Sequence, residues 1–384
     1  MKEKKENKEE QLLRILTQLV RIPSYGQIGK DHDIIKYLEE SFKDCKETIK
    51  LVDESGNTHL LVGVNRKLNN LNNAIILSGH IDTVRESNGH ICDISVEGDT
   101  LKGLGISDMK AFTATIISNL EYLKSLDIPV VISLTSDEET DLLGIEHIIK
   151  ELEDRKITPG LVVVGEPTDL EYYASSRGNS IYISTMNGIA CHSGTPELGV
   201  NAIELQARFL TEIIRVKELY EKESSICITH VEGGKKPSNT VPDMSSACFS
   251  IRTSSATVLA EIENYLQQCH KDISKSYGES KLINVLEIPP FERRENEFIT
   301  EQVKRTGKKM IDAKYATEAG YFQRAYPEAS TIIYGPGQPD KIHKSDEYLE
   351  PKKLFQYAKE LNELINNYLQ YTKNDPMRLV YTQE

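Results

Sequence analysis

The 384-residue sequence carries 46 Lys and Arg against 59 Asp and Glu, a formal net charge of -13 and an isoelectric point near 5.3. That balance speaks against nucleic acid as a partner, because phosphate binding relies on clustered cations, and no apolar run approaches the roughly 18 residues of a membrane span. The length suits two domains on the usual scale of about 100 to 200 residues each, and the six cysteines, scattered without a CxxC pair, read as reduced core or surface thiols rather than a zinc ribbon, redox motif or disulfide framework.

The leading MKEKKENKEE is charged throughout and lacks the apolar core of a secretory signal, so it reads as a solvated lead-in to a helix in a cytoplasmic protein. Leu12, Ile15, Leu16, Leu19 and Val20 then recur at helical spacing until Pro23 ends the run. A second amphipathic helix is expected in DHDIIKYLEESF. Apolar runs of strand length follow: LLVGV at 60–64, AIILSG at 74–79, VVISL at 130–134, GLVVVG at 160–165 and STIIYG at 330–335. Helical patterns such as KAFTATIISNLEYLKSL at 110–126 lie between them, and the alternation predicts an α/β fold: a mixed, largely parallel sheet flanked by helices.

The pattern changes between about Gly178 and Pro290 to strand, long helix, strand, strand and helix. This predicts an α+β domain with antiparallel strands, 178–290, inserted into a larger domain made of 1–177 and 291–384. The α/β pattern resumes near Phe291 and closes with a helix at 353–369.

Four of the presumed core strands run directly into metal-ligand residue types. AIILSG leads to His80 and Asp82, VVISL to Glu138 and Glu139, GLVVVG to Glu166, and STIIYG through PGQPDK to His343. Ligands of open α/β sheets bind beyond the carboxyl ends of the strands, so parallel neighbours would bring these groups to one crevice. Asp108, in the glycine-containing loop GLGISDMK, is a further candidate. Imidazole and carboxylate donors suit Zn²⁺, with Mn²⁺ or Co²⁺ compatible. His80 and Asp82, at i and i+2, lie on the same side of a strand, so Asp82 is expected to take a hydrogen bond from the second ring nitrogen and orient the histidine instead of binding metal. An Asp-Glu-Glu run is by itself an ordinary solvated turn, and Ser136-x-x-Glu139 also fits a capping box; repetition at four strand ends is what favours a shared site.

SGHIDTV, GLGISDMK, SDEE, VVGEPTD, ACHSGTPELGVNAIE and YGPGQPDKIHKSDEYLE, in that order and spacing over roughly residues 12–370, resemble the acetylornithine deacetylase and succinyl-diaminopimelate desuccinylase family of co-catalytic zinc deacylases and peptidases. GEPTD, GVNAIEL, ATEAGYFQ and HKSDEYLE look most like the acetylornithine deacetylases within it. The resemblance implies two divalent ions bridged by Asp108, with His80 and Glu166 completing one site and Glu139 and His343 the other, and Glu138 as general base toward a water held between the ions. It implies that the insertion is a lid carrying a homodimer interface, with His192 stabilising the oxyanion, Asn239 and Arg252 holding the substrate, and Gly335 and Gly337 forming a turn that lines the pocket. Cys191 beside His192 is not expected to act as a nucleophile, since neighbouring side chains on an extended chain point apart.

The chain departs from the family in lacking Trp and a Pro-Phe pair across 85–102, in Ala111 where Gly is common, and in Ser250 where Asp is frequent. The implied substrate is a small N-acyl amino acid such as N2-acetyl-L-ornithine. Succinyl-diaminopimelate, acetylcitrulline and dipeptides are the alternatives within the family, and a non-catalytic binding protein on the same fold is the alternative outside it.

Overall fold

The computed structural model describes residues 7–85, 92–235, 239–275 and 279–374. It divides into two compact units, Met1–Ala174 with Arg293–Asp312 and Tyr321–Glu384, and Ser175–Glu292 with Ala313–Gly320.

The first unit is built on an eight-stranded sheet in the order Glu47–Val52, Thr58–Gly63, Val130–Thr135, Leu71–His80, Ile157–Val164, Ser330–Ile333, Tyr172–Ser176 and Met310–Ala313. Its four central strands are parallel, while Thr58–Gly63 on one side and Tyr172–Ser176 on the other pair antiparallel. The central strands read as near-continuous apolar runs because both faces are covered: Ile75, Ile76, Leu77, Val131, Ile132, Leu161, Val162 and Val163 are all fully buried. Each such side chain contributes roughly 1.5–3 kcal/mol relative to exposure.

Helix Lys8–Arg21 starts at Asn7, whose side chain and that of Glu10 form a reciprocal cap, and it buries the stripe Leu12, Ile15, Leu16, Leu19 and Val20 read from the sequence. The helix expected over 110–126 is broken: Ala111–Ser118 and Leu120–Lys124 are separated at Asn119, whose amide reaches the Ala358 carbonyl and Asn362 on the last helix, Pro351–Asn374. Among the described residues no helix is long and apolar enough to cross a membrane.

In the second unit four antiparallel strands, ordered Ser224–Gly233, Met244–Thr253, Asn179–Asn187 and Lys281–Ile288, carry helices Ala202–Leu219 and Ala256–Ser274. Lys281–Ile288 adds a strand to the elements expected there. Phe209, Ile213, Phe249, Ile251, Ile262 and Leu266 form this unit's own core. All six cysteines are free: Cys227 is exposed and the others are partly covered, Cys45 and Cys269 packing against the cores of their units. Residues 86–91 of the Trp-free stretch lie outside the described residues; Ser95–Glu97 and Thr100–Lys102 beyond them pair as a short antiparallel ribbon.

Candidate metal centre

Register places the candidate ligands. His80 is opposite Thr135, and Ser78 and Ile333 are both level with Val164, so the adjacent strands Val130–Thr135, Leu71–His80, Ile157–Val164 and Ser330–Ile333 end together. His80 is the last residue of its strand, Glu166 follows its strand by two residues, and Glu138 and Glu139 lie on the turn after Thr135. The Gly165 amide donates to the Ser78 carbonyl at 2.9 Å, tying the Glu166 segment to the His80 strand.

Asp108 is the hub. Its Oδ1 lies 3.0 Å from His80 Nε2 and its Oδ2 lies 3.5 Å from His343 Nε2, so each oxygen faces a different histidine. His343 Nε2 is also 2.8 Å from Glu139 Oε2. Donor atoms of His80, Asp108 and Glu166 fall within 4.8 Å of one another, as do those of Asp108, Glu139 and His343. The two clusters share Asp108, and their imidazole and carboxylate donors fit divalent cations of the zinc type. His343 reaches its place with a φ of 59°, a left-handed conformation uncommon for a residue with a Cβ.

Asp82 does more than orient His80. His80 Nδ1 is 3.0 Å from the Asp82 carbonyl oxygen and 3.5 Å from Oδ1. The carboxylate also accepts the amides of Glu138 at 3.2 Å and Glu139 at 2.9 Å, holding the turn that presents both glutamates. The alternative capping box is not formed: residues 138–141 are turn, and the following helix, Gly144–Asp154, has Leu143 at its N-cap while its first amide donates to Asp137.

The electrostatics follow from crowding acids into a dry place. Burial, and next the charge of Glu166, push the Glu138 carboxyl well above its usual range. Burial alone would raise Asp108 and depress His80, but the Asp108 hydrogen bonds with His343 and His80 lower the acid, and those of His80 with Asp108 and Asp82 raise the base. His343 is pushed up to about 10 by its hydrogen bonds with Asp108 and then Glu139. A cation taking Nε2 near neutral pH must displace that proton, so metal affinity is expected to rise with pH toward 10. Calorimetric metal titrations in buffers of different ionisation enthalpy should read the proton release; no release near neutral pH would contradict it.

Glu347 is a site residue the sequence did not single out, although it lies in HKSDEYLE. It is 3% exposed and accepts the amides of Gly105 at 3.0 Å, Ser107 at 2.8 Å and Asp108 at 3.2 Å, so it fixes the loop that delivers Asp108. Burial and the neighbouring Asp108 charge push its carboxyl up to about 7. Glu347→Ala leaves these donors without their acceptor, at roughly 1–3 kcal/mol for each that stays dry; a fall of several kcal/mol in chemical denaturation of the metal-free protein is expected. Gly335 packs so closely on the carbonyls of Gly165 and Glu166 that a side chain there would overlap them, and the Gly337 carbonyl accepts the Asp169 amide at 2.8 Å.

In the second unit, His192 and Asn239 are exposed on adjoining segments: His192 bridges Thr240, and the Ser193 amide donates to the Asn239 carbonyl at 2.7 Å. The Gly194 amide donates to His192 Nδ1 at 3.0 Å, which in the neutral ring leaves the proton on Nε2. Cys191 Sγ lies 3.4 Å from the Thr195 carbonyl. Arg252 is half-buried, its pKa lowered by burial and then by the neighbouring Arg177. Arg177 was not anticipated; two adjacent arginines on one unit are a natural receptor for a carboxylate.

The sequence profile of Peptidase family M20/M25/M40 matches residues 76–367. The chain belongs to the M20/M25/M40 family. The acetylornithine deacetylase of Buchnera aphidicola subsp. Schizaphis graminum is 26% identical to this M20 chain over 386 residues, covering 93% of it and 97% of the relative. Aminopeptidase PepT from Bacillus cereus ATCC 10987 superposes with a TM-score of 0.73 at 19% identity, over 94% of this chain and 98% of its own. The Bacillus subtilis YxeP protein, a dinuclear metal-binding peptidase of the M20 family, gives 0.62 at 14% identity, over 93% and 97%. As an M20 member, the chain is a metal-dependent hydrolase acting on amide bonds.

Proposed function

We propose that this chain is a two-zinc deacylase that removes a small acyl group, acetyl first, from an N-acyl amino acid such as N2-acetyl-L-ornithine. The observation that carries this reading is the Asp108 carboxylate divided between His80 and His343, each with a further carboxylate ligand beside it. Zinc ions held by His80, Asp108 and Glu166 and by Asp108, Glu139 and His343 would polarise the amide carbonyl and acidify the attacking water. Cobalt or manganese can serve the same donors.

Glu138 takes the proton from that water and passes it to the departing nitrogen. Its suitability lies in its place: its carboxylate falls within 4.8 Å of donor atoms of His80 and Glu139, on the same turn as Glu139. Asp82 keeps Glu138 aimed by gripping its amide. On the strength of the motifs around them, His192 is assigned to the oxyanion through Nε2–H, and Asn239 and Arg252 to holding the substrate, with Arg177 beside Arg252 reinforcing recognition of its carboxylate.

The deacetylase reading draws on a relative aligned over almost its whole length. Peptide hydrolysis is the second reading, favoured by the aminopeptidase PepT neighbour. We place the enzyme in the cytoplasm as a homodimer, and in arginine biosynthesis if acetylornithine is its substrate; light scattering that found only monomer would remove the dimer. The deciding assay measures kcat/KM of the zinc-loaded protein on N-acetyl and N-succinyl amino acids and on di- and tripeptides. Highest kcat/KM on N2-acetylornithine is expected, a ranking led by peptides would replace the deacetylase reading, and hydrolysis of none of them would sink both.

A further inference from the structure

The turn carrying Glu138 and Glu139 is also gripped from its other end, by buried polar residues with no part in the reaction above. His59, fully buried on strand Thr58–Gly63, lies beside the end of strand Val130–Thr135. Its Nδ1 accepts the Ser136 amide at 3.3 Å, which in the neutral ring puts the proton on Nε2. Nε2 faces Asp53 Oδ2 at 3.5 Å. Asp53 is itself fixed by Asn57, whose backbone and side-chain amides donate to its two oxygens at 2.7 and 3.0 Å. Asp137, 2% exposed, has Oδ1 3.9 Å from His59 Nδ1 and accepts the Gly144 amide at 2.7 Å through Oδ2. A side chain on Gly144 would overlap both the His59 ring and the Asp137 carboxylate, so this glycine is what lets the group close up.

Donor atoms of Asp53, His59 and Asp137 lie within 4.8 Å of one another, as a cation site would require. His59 Nε2 and Asp137 Oδ1 have no hydrogen-bond partner, but the other donor atoms are taken. Nδ1 is committed to Ser136 and both Asp53 oxygens to Asn57, and the two acids face different nitrogens of the ring.

We infer that His59, oriented by Asp53, is a positioning residue for the general base: it anchors the amide of Ser136, two residues before Glu138, while Asp82 anchors the amides of Glu138 and Glu139. The inference rests on the proposed role of Glu138. A turn fixed at both ends places a proton-transfer group to within the tolerance catalysis demands, where a shift of about 1 Å can cost about 100-fold.

The test compares His59→Leu, which removes the acceptor, with His59→Asn, whose Oδ1 stands where Nδ1 stood, in the full-length metal-loaded enzyme. Gly144→Ala, which crowds both the ring and the Asp137 carboxylate, is a third variant should His59→Leu not fold. For His59→Leu and Gly144→Ala, kcat is expected to fall between about 10- and 100-fold with KM nearly unchanged and metal content intact, and His59→Asn should recover most of the loss. Hydrogen exchange across 136–139 should quicken in the first two variants and stay near the parent rate in the Asn variant, a readout that holds even if the parent proves inactive on every substrate tried. Equal losses in the Leu and Asn variants would reduce His59 to packing. A lost metal equivalent would make the cluster a cation site, and unchanged kcat and exchange in the Leu variant would end the proposal outright.

Discussion

Glu138→Gln is expected to lower kcat by about 10²–10⁴-fold, the usual contribution of a positioned general base, while leaving metal content and KM close to those of the parent. Gln keeps the shape of the side chain and its backbone amide, which Asp82 accepts at 3.2 Å, so the turn should not move. What it loses is the ability to accept and return a proton. The charge removed is one of a crowded set, because Glu166, Glu139 and Asp108 all raise the Glu138 pKa in addition to burial. An acid whose folded pKa is raised costs stability above its unfolded value, so the metal-free variant is expected to melt no lower than the parent. Steady-state kinetics with metal analysis reads both halves, and a variant that kept full kcat would remove Glu138 from the chemistry.

Asp108→Ala is expected to be at least as damaging by a different route. Both oxygens of Asp108 are engaged, one with each histidine, so its removal takes a donor from both clusters at once. Lewis-acid polarisation is worth several kcal/mol, and about 4 kcal/mol corresponds to ~10³-fold in rate. Turnover should fall by that order or more, with metal lost on dialysis, whereas Glu138→Gln keeps its metal. Added zinc should restore little, because a donor common to both clusters is gone. Retention of both metal and rate would mean that Asp108 does not join the clusters.

The two substitutions separate residues that were unequally legible in the sequence. His80 and Glu166 could be placed from local pattern alone, since buried parallel strands announce themselves as apolar runs and their carboxyl ends are where ligands gather. Asp108 was visible only as an acid in a glycine-containing loop. What makes it a hub is Glu347, an acid from the far end of the unit that gathers three of the loop's amides, and no local periodicity reports a pairing of that sequence separation. Asp82 was tied to His80 by strand geometry, and its Oδ1 lies 3.5 Å from His80 Nδ1; that the same carboxylate also accepts the amides of the Glu138 turn depends on the neighbouring strand, which no local pattern reports. Asp137 reads from the sequence as either a solvated acid or a support to its neighbours; it is buried and its carboxyl is pushed up to about 8, chiefly by burial. Only the neighbouring antiparallel strand, which brings His59 alongside, could reveal that. The break at Asn119 was no more legible: the apolar pattern runs through it, and the partners of its side chain sit on Pro351–Asn374.

Anomalous diffraction at the zinc edge from crystals grown with zinc tests the centre most directly. Two peaks are expected on either side of the Asp108 carboxylate, one against His80 and Glu166 and the other against Glu139 and His343, with Glu138 bound to neither. A single peak, a peak coordinated by Glu138, or zinc located among Asp53, His59 and Asp137 in place of this centre would contradict it.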